Sequence, residues 1–153
     1  MDAERRLIEL GLELPPAARP VASYVPVVVS GTLAFVAGQV AMESGTPLWT
    51  GHLGRDVDVA TGAEAARQCA LQALAALRAE LGSLDRISRI VKMTVFVASA
   101  EGFTALPQVG NGASDILVEI FGERGRHARV AAGVSELPLG APVEVELIVE
   151  VAG

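Results

Sequence analysis

Runs of apolar residues predict five β-strands along the chain. Val25 to Val29 and Leu33 to Val36 are rich in β-branched residues, and Ser30-Gly31-Thr32 between them is typical of a hairpin turn. Gly38-Gln39 is expected to interrupt the second strand. Three later runs of β-forming residues complete the set. The predicted strands span about residues 25–29, 33–36, 87–97, 128–134 and 143–151.

Apolar residues at helical spacing predict three helices. These helices span about residues 2–11, 60–81 and 113–121. The longest is the strongest prediction, because Thr61 and Glu64 have the spacing of a capping box and Gly82 is suited to a C-cap. Its many alanines indicate close packing against a sheet.

Two segments lack a regular pattern. Pro15, Pro16 and Pro20 predict an extended linker, so residues 1–20 are interpreted as an N-terminal helix and linker ahead of one domain over 21–153. Residues 42–56 are rich in glycine and are expected to be irregular, with a short strand at Leu48-Trp49.

The element order predicts an α+β fold. A single mixed sheet with two helices packed on one face satisfies the order, because each helix then covers the sheet. The other face of the sheet is expected to stay apolar and open. This predicts that subunits pack their sheet faces around a common axis, with a binding site formed between neighbours.

Composition supports self-association and argues against a nucleic-acid partner. Hydrophobic residues make up 51% of the 153 residues, which is more than a small monomer needs to bury. The net charge is −6, and only six residues are aromatic, so a basic groove for RNA is not expected. A local anion site remains compatible with this composition.

The cysteine and histidine content gives no support for a disulfide or a metal site. Cys69 is the only cysteine and is expected to be a small buried residue. His52 lies in the glycine-rich segment, where it is expected to be solvated, and is far in sequence from His127. No long apolar run or secretory leader is evident, so a cytoplasmic location without membrane contact is predicted.

The C-terminal segment carries the candidate chemistry. Alternation in residues 143–147 places Glu144 and Glu146 on one face of a strand whose other face is apolar. The two acids would either keep the strand soluble or meet Arg129 or a ligand. His127 is two residues from Arg129, so both side chains are expected to point the same way along a strand.

Several blocks of the sequence resemble the reactive-intermediate deaminase (Rid, or YjgF-like) family. Ala128-Arg129, Leu137-Pro138 and Val143-Glu144-Val145-Glu146 are similar to the closing signature of that family. Upstream, Phe35-Val36-Ala37-Gly38-Gln39 and the strand beginning at Ile90 resemble two further blocks. Tyr24 matches an N-terminal tyrosine. The blocks occur in the family's order over about residues 21–152.

The resemblance implies a chorismate-mutase-like fold and a homotrimer with clefts between subunits. It also implies hydrolysis of reactive 2-imino or enamine acids to 2-keto acids and ammonia, with no cofactor. Arg129 would hold the substrate carboxylate, and Glu144 would position or activate the attacking water. Tyr24 and the Ala37-Gly38 segment would line the cleft.

Departures from the family pattern leave other functions open. Ala37 replaces a serine of the active members, and Ala131 stands where a cysteine is frequent. Asn111 and His127 are candidates for replacement polar groups. A trimer that binds a small carboxylate without turnover is therefore an alternative. A structural assembly in which Arg129 pairs with Glu144 between subunits is another, and ribonuclease activity is disfavoured by the acidic charge.

Overall fold

The computed structural model describes residues 2–19 and 22–152. Pro20 of the predicted linker, the predicted boundary between residues 20 and 21, Met1 and Gly153 lie outside the described residues. Within these residues, three α-helices and seven strands follow one another. They are α1 (Ala3–Glu9), β1 (Val27–Ser30), β2 (Leu33–Val40), β3 (Met42–Glu43), β4 (Thr46–Pro47), α2 (Val59–Leu81), β5 (Ile87–Ala98), α3 (Leu106–Phe121), β6 (Ala128–Val134) and β7 (Val143–Val151).

Five of the strands form one mixed sheet in the order β1-β2-β7-β5-β6. Neighbours are antiparallel except β5 and β6, which are parallel because α3 carries the chain back between them. The C-terminal strand β7 thus lies in the centre of the sheet and β6 lies at its edge. The predicted α+β architecture is confirmed. The limits predicted for β6 and β7 are also correct.

The long helices α2 and α3 pack together on one face of the sheet and enclose the core. The N-cap of α2 is Asp58, whose carboxylate accepts from the backbone N–H of Thr61, so the predicted capping box is wrong. Gly82 is the predicted C-cap, with a φ of 88° that glycine adopts without strain. Cys69 is fully buried in α2, as predicted.

Helix α3 begins at Leu106, seven residues before the predicted start. The residues that obscured it are Gly110, Asn111 and Gly112, which have low helix propensity. Packing requires at least one of these glycines. A Cβ atom on Gly112 would overlap the backbone carbonyl of Ala63 in α2, so the two helices approach each other closely at this point.

Other differences from prediction occur in the N-terminal half. Strand β2 is not interrupted at Gly38-Gln39 as predicted. It continues to Val40, and its register against β7 shifts between Val36 and Gln39. Leu48-Trp49 is not a strand, because the short hairpin β3–β4 precedes it. In α1, Leu7 is buried whereas Ile8 is 80% exposed. No described helix combines the length and apolar composition that a membrane span needs.

The face of the sheet away from the helices is open but not uniformly apolar. Phe35, Val28 and Val130 are exposed there, but β7 also places three acidic side chains on this face. The prediction of an apolar open face is therefore wrong. The acidic residues are Glu144, Glu146 and Glu150.

Candidate functional site

Arg129 lies on the edge strand β6, on the face that α3 covers. It is in register with the buried Met93 of β5. Its Nη1 donates to Asn111 Oδ1 at 2.8 Å and to Ser114 Oγ at 3.1 Å. Gly110 lets the guanidinium lie close to the helix, since a Cβ atom there would be 3.3 Å from Nη1. The described residues provide no partner for Nε or Nη2.

His127 supports this arrangement from the start of β6. Its Nδ1 lies 2.6 Å from the backbone oxygen of Gly125, and its Nε2 lies 2.9 Å from Ser114 Oγ. The Gly125 oxygen can only accept, so in the neutral ring Nδ1 carries the proton and Nε2 accepts from the Ser114 hydroxyl. The Ser114 oxygen is then free to accept from Arg129. The chain of hydrogen bonds therefore has one direction, from Arg129 to Ser114 to His127.

Glu144 lies on the open face of β7, opposite Phe96 of β5 and Val40 of β2. Its carboxylate rests against Gly38, where a Cβ atom would be 2.8 Å from Cδ. Burial raises the pKa of Glu144 above its ordinary value, and repulsion from Glu146 raises it further. No hydrogen-bond donor or cation among the described residues pairs with this carboxylate. Glu144 is thus a half-buried carboxylate without a protein partner among the described residues.

A cavity of about 1040 Å³ adjoins Glu144. Tyr24 and Gly38 line it, together with Leu139 from the turn that precedes β7. Tyr24 is 54% exposed, so its ring is available to a ligand. Ala37 precedes Gly38 in β2, and its backbone oxygen accepts from the Gln39 side chain.

The candidate residues form two separate groups in one chain. Tyr24, Gly38 and Glu144 line the cavity near the open face, whereas Asn111, His127 and Arg129 are joined on the helix side. The sheet lies between the two groups. Arg129 is in register with Met93, and Glu144 is in register with Phe96. Met93 and Phe96 lie on opposite faces of β5, because side chains alternate along a strand. One copy of the chain therefore does not bring Arg129 to Glu144.

Ser114 was not predicted from the sequence, although it connects Arg129 with His127. The signal for it was its spacing from Asn111, since residues three apart share one face of a helix. The sequence alone does not reveal this relationship, because the predicted helix begins at Ala113 and leaves Asn111 outside it.

The remaining candidates for chemistry are accounted for by structure. His52 is not solvated as expected, because its side chain is only 14% exposed and Nε2 lies 2.8 Å from Ser135 O and 2.9 Å from Glu136 Oε2. Burial raises the pKa of Cys69 to about 12, so its thiol is not a nucleophile at neutral pH. Over residues 2–19 and 22–152, no group of three or more metal-ligating side chains is found.

Comparison with known proteins identifies the class. A family model described as YjgF/chorismate mutase-like, which also carries an endoribonuclease label, matches residues 4–151. Protein TCP17 of Trypanosoma cruzi is 48% identical over 145 residues, covering 94% of this chain and 91% of that protein. A 2-iminobutanoate/2-iminopropanoate deaminase of Dermatophagoides farinae is 29% identical over 139 residues, covering 90% and 93%.

The same class is found among solved structures. The protein Atu1372 of Agrobacterium tumefaciens, whose function is unknown, is 46% identical, with a TM-score of 0.89 over 99% of this chain and 92% of that one. With the family match over nearly the whole chain, these similarities show that the protein belongs to the YjgF-like family.

Proposed function

We propose that this protein hydrolyses reactive 2-imino or enamine acids to 2-keto acids and ammonia in a cleft between copies of the chain. The observation that carries the proposal is the guanidinium of Arg129, which is anchored through Nη1 alone. Nε and Nη2 offer two parallel N–H donors, which match the two oxygens of a carboxylate. The deaminase similarity of the mite protein points to the same reaction.

Glu144 is suited to activate water for this reaction. Its raised pKa makes the carboxylate a stronger base than an ordinary glutamate, and it has no competing partner in the described part of the chain. Water would lose a proton to Glu144 as its oxygen bonds to the imine carbon. That proton would pass to the nitrogen and give a neutral carbinolamine. Glu144 would then take the remaining hydroxyl proton and deliver it to the amine nitrogen, as the C=O bond forms and the C–N bond breaks to release ammonia and leave the keto acid.

The separation of the two groups by the sheet supports a cleft built by two copies. Arg129 lies on the edge strand of one copy, where a neighbour can approach, and Glu144 lies on the open face that a neighbour can cover. A neighbour's Glu144 would then face the imine carbon of a substrate whose carboxylate is held by Arg129. Three such copies would close a ring with three equivalent sites, which is the homotrimer expected from the sequence.

The experiment that tests this function measures keto-acid and ammonia release from imino acids made in situ by an amino-acid oxidase. The wild-type protein should accelerate release above the uncatalysed rate, and Arg129→Ala should remove the acceleration. Arg126→Ala is the matched control, because Arg126 is exposed and pairs with Glu123. Equal rates with and without wild-type protein for every imino acid would contradict the proposal.

A second candidate function is binding of a small carboxylate without turnover. Ala37 favours it, since this position lacks the hydroxyl that active members of the family carry. In that case 2-keto acids should raise the melting temperature of the wild type and not of Arg129→Ala, while no imine is hydrolysed. Ala37→Ser separates the two functions further, because added turnover would show that only the hydroxyl was missing.

A further inference from the structure

The turn over residues 135–142 joins the strand of Arg129 to the strand of Glu144 and carries an unusual leucine. Leu139 lies at the wall of the cavity that Glu144 lines. It is 63% exposed, and its φ of 61° is in the left-handed region, which is unfavourable for a residue with a Cβ atom. An exposed apolar side chain on strained backbone does not help one chain to fold. It therefore indicates a role at the site.

His52 holds the start of this turn. Its side chain is 14% exposed, and its Nε2 lies 2.8 Å from the backbone oxygen of Ser135 and 2.9 Å from Glu136 Oε2. Both atoms are acceptors, so Nε2 carries a proton. Nδ1 lies 2.8 Å from Arg55 Nη2, which can only donate, so Nδ1 accepts and the ring is neutral. The imidazole is thus fixed by partners at both nitrogens.

The loop before α2 that carries this histidine is itself firmly held. Leu53 is fully buried, and its N–H donates to the backbone oxygen of Ala98 at the end of β5. The N–H of Gly51 donates to the backbone oxygen of Gly140 at 2.9 Å. The loop therefore holds the turn at two points, and Leu139 lies between them.

We propose that His52 is a positioning residue: by fixing the turn, it keeps the apolar side chain of Leu139 at the cavity wall, where Leu139 shields the Glu144 carboxylate from bulk water. This inference rests on the proposed function. Burial is the main cause of the raised pKa of Glu144, and an apolar group held beside the cavity adds to that burial. Without Leu139 in place, the carboxylate is better hydrated and is a weaker base.

Other titratable groups also lie near Glu144, and the variants used below leave all of them unchanged. They are Glu146 on the same face of β7, Arg19, Tyr24 and Glu43 at the cavity wall, and the buried Cys69 of α2. A change in the titration of Glu144 in these variants therefore reports the position of the turn.

Steady-state kinetics over a range of pH tests the role of His52. His52→Ala should lower kcat at pH 7 about 10-fold with little change in KM. It should also move the acidic limb of the kcat profile to lower pH, towards the ordinary pKa of 4.5. His52→Gln should restore both values, because its Nε2 still donates to the backbone of Ser135. A wild-type kcat and pH profile in His52→Ala would overturn the inference.

Leu139→Asn tests the leucine without disturbing the backbone, because asparagine tolerates the left-handed region. It should lower kcat and shift the acidic limb as His52→Ala does, while the melting temperature stays equal or rises. Ile8→Asn is the matched control, because Ile8 is 80% exposed on α1 and does not line the cavity. It should change neither kcat nor the profile. A Leu139→Asn variant with wild-type kinetics would also overturn the inference.

NMR decides the inference even if no imine is hydrolysed. The chain has two histidines, and the ring ¹⁵N shifts should show His52 protonated at Nε2 and His127 at Nδ1. A ¹³C titration of the glutamate carboxyls, assigned with Glu144→Gln, should show a lower pKa of Glu144 in His52→Ala and Leu139→Asn, and the wild-type pKa in His52→Gln.

The two possible failures are distinguishable. Averaged tautomers at His52, or a Glu144 pKa that neither His52→Ala nor Leu139→Asn lowers, would overturn the positioning role whether or not the wild type is active. Absence of turnover together with the expected NMR results would overturn only the proposed hydrolysis.

Discussion

The side chains of Arg129 and Glu144 lie on opposite faces of the same sheet. Arg129 lies on the face that α3 covers, and Glu144 lies on the uncovered face. A substrate that needs both must therefore take each from a different copy. This relationship makes the assembly, rather than the single chain, the unit that carries the proposed chemistry.

Mixed assemblies test that conclusion directly. Arg129→Ala and Glu144→Gln should each be inactive alone. When the two variants are unfolded together and refolded as mixed assemblies, about a quarter of the sites in a ring should pair an intact Arg129 with an intact Glu144. The recovered rate should therefore approach about a quarter of the wild-type rate. Activity no higher than that of either variant would show that each chain builds its own site.

The hydrogen-bond chain from Arg129 through Ser114 to His127 predicts that loss of the Ser114 hydroxyl weakens substrate binding and leaves the chemical step unchanged. Ser114→Ala removes one anchor of the guanidinium and leaves His127 Nε2 without a donor. KM should rise about 10-fold with little change in kcat, since one hydrogen bond to a charged group is lost. Ser114→Thr retains the hydroxyl and should restore KM. A fall in kcat at unchanged KM would contradict a positioning role.

Gly38 should control the position of the Glu144 carboxylate. A Cβ atom at Gly38 would lie 2.8 Å from Glu144 Cδ and 3.1 Å from each carboxylate oxygen. Because the carboxylate is the end of a flexible side chain, Gly38→Ala should displace it with little loss of stability. We expect kcat to fall about 10- to 100-fold, as for a misplaced general base. Steady-state kinetics and the melting temperature together check this expectation, and unchanged kcat would contradict it.

The sequence predicted the sheet better than the site. Strands β6 and β7 have clear ends, because β-forming runs stop at glycine, proline and loop residues, and their limits agree with the prediction. The faces of Arg129 and Glu144 were not predictable in the same way. Alternation orders residues within one strand, but only the register of β6 and β7 against β5 relates the two strands.

Tertiary packing explains the other errors. Helix α3 was predicted too short because Gly110 and Gly112 oppose helix formation locally, whereas contact with α2 requires a residue without a side chain. His52 was expected in solvent because its segment is rich in glycine. It is instead enclosed by Ser135 and Glu136, which are more than eighty residues away along the chain.

Two alanine substitutions in α3 should separate folding from binding. Gly112→Ala places a methyl group on the backbone of Ala63, which cannot yield, and should cost about 3 kcal/mol or more in the free energy of unfolding. Gly110→Ala meets only the tip of Arg129, 3.3 Å away, and should keep or improve stability through helix propensity. It should instead weaken carboxylate binding. Chemical denaturation and ligand titration of both variants measure the two effects.

Because the pKa of Glu144 is raised in the folded protein, its ionised carboxylate should lower the free energy of unfolding at neutral pH. A carboxyl whose pKa is higher in the folded state binds its proton more tightly there, so folding is favoured while it is protonated. That contribution is complete below the ordinary pKa of 4.5 and is lost as the pH rises through the folded pKa. The contribution of Glu144 to the free energy of unfolding should therefore fall across that window.

Glu144→Gln should remove this cost because the amide has no charge to desolvate. At pH 7 the variant should be more stable than the wild type, by less than about 1 kcal/mol since solvent reaches half of the site. The difference should vanish below about pH 4, where the wild-type carboxyl is protonated as well. Glu101→Gln is the control on an exposed residue and should show neither effect. Urea denaturation from pH 4 to pH 8 measures the profile. A Glu144→Gln variant that is less stable than the wild type at pH 7 would mean that the carboxylate has a cationic partner in the assembly.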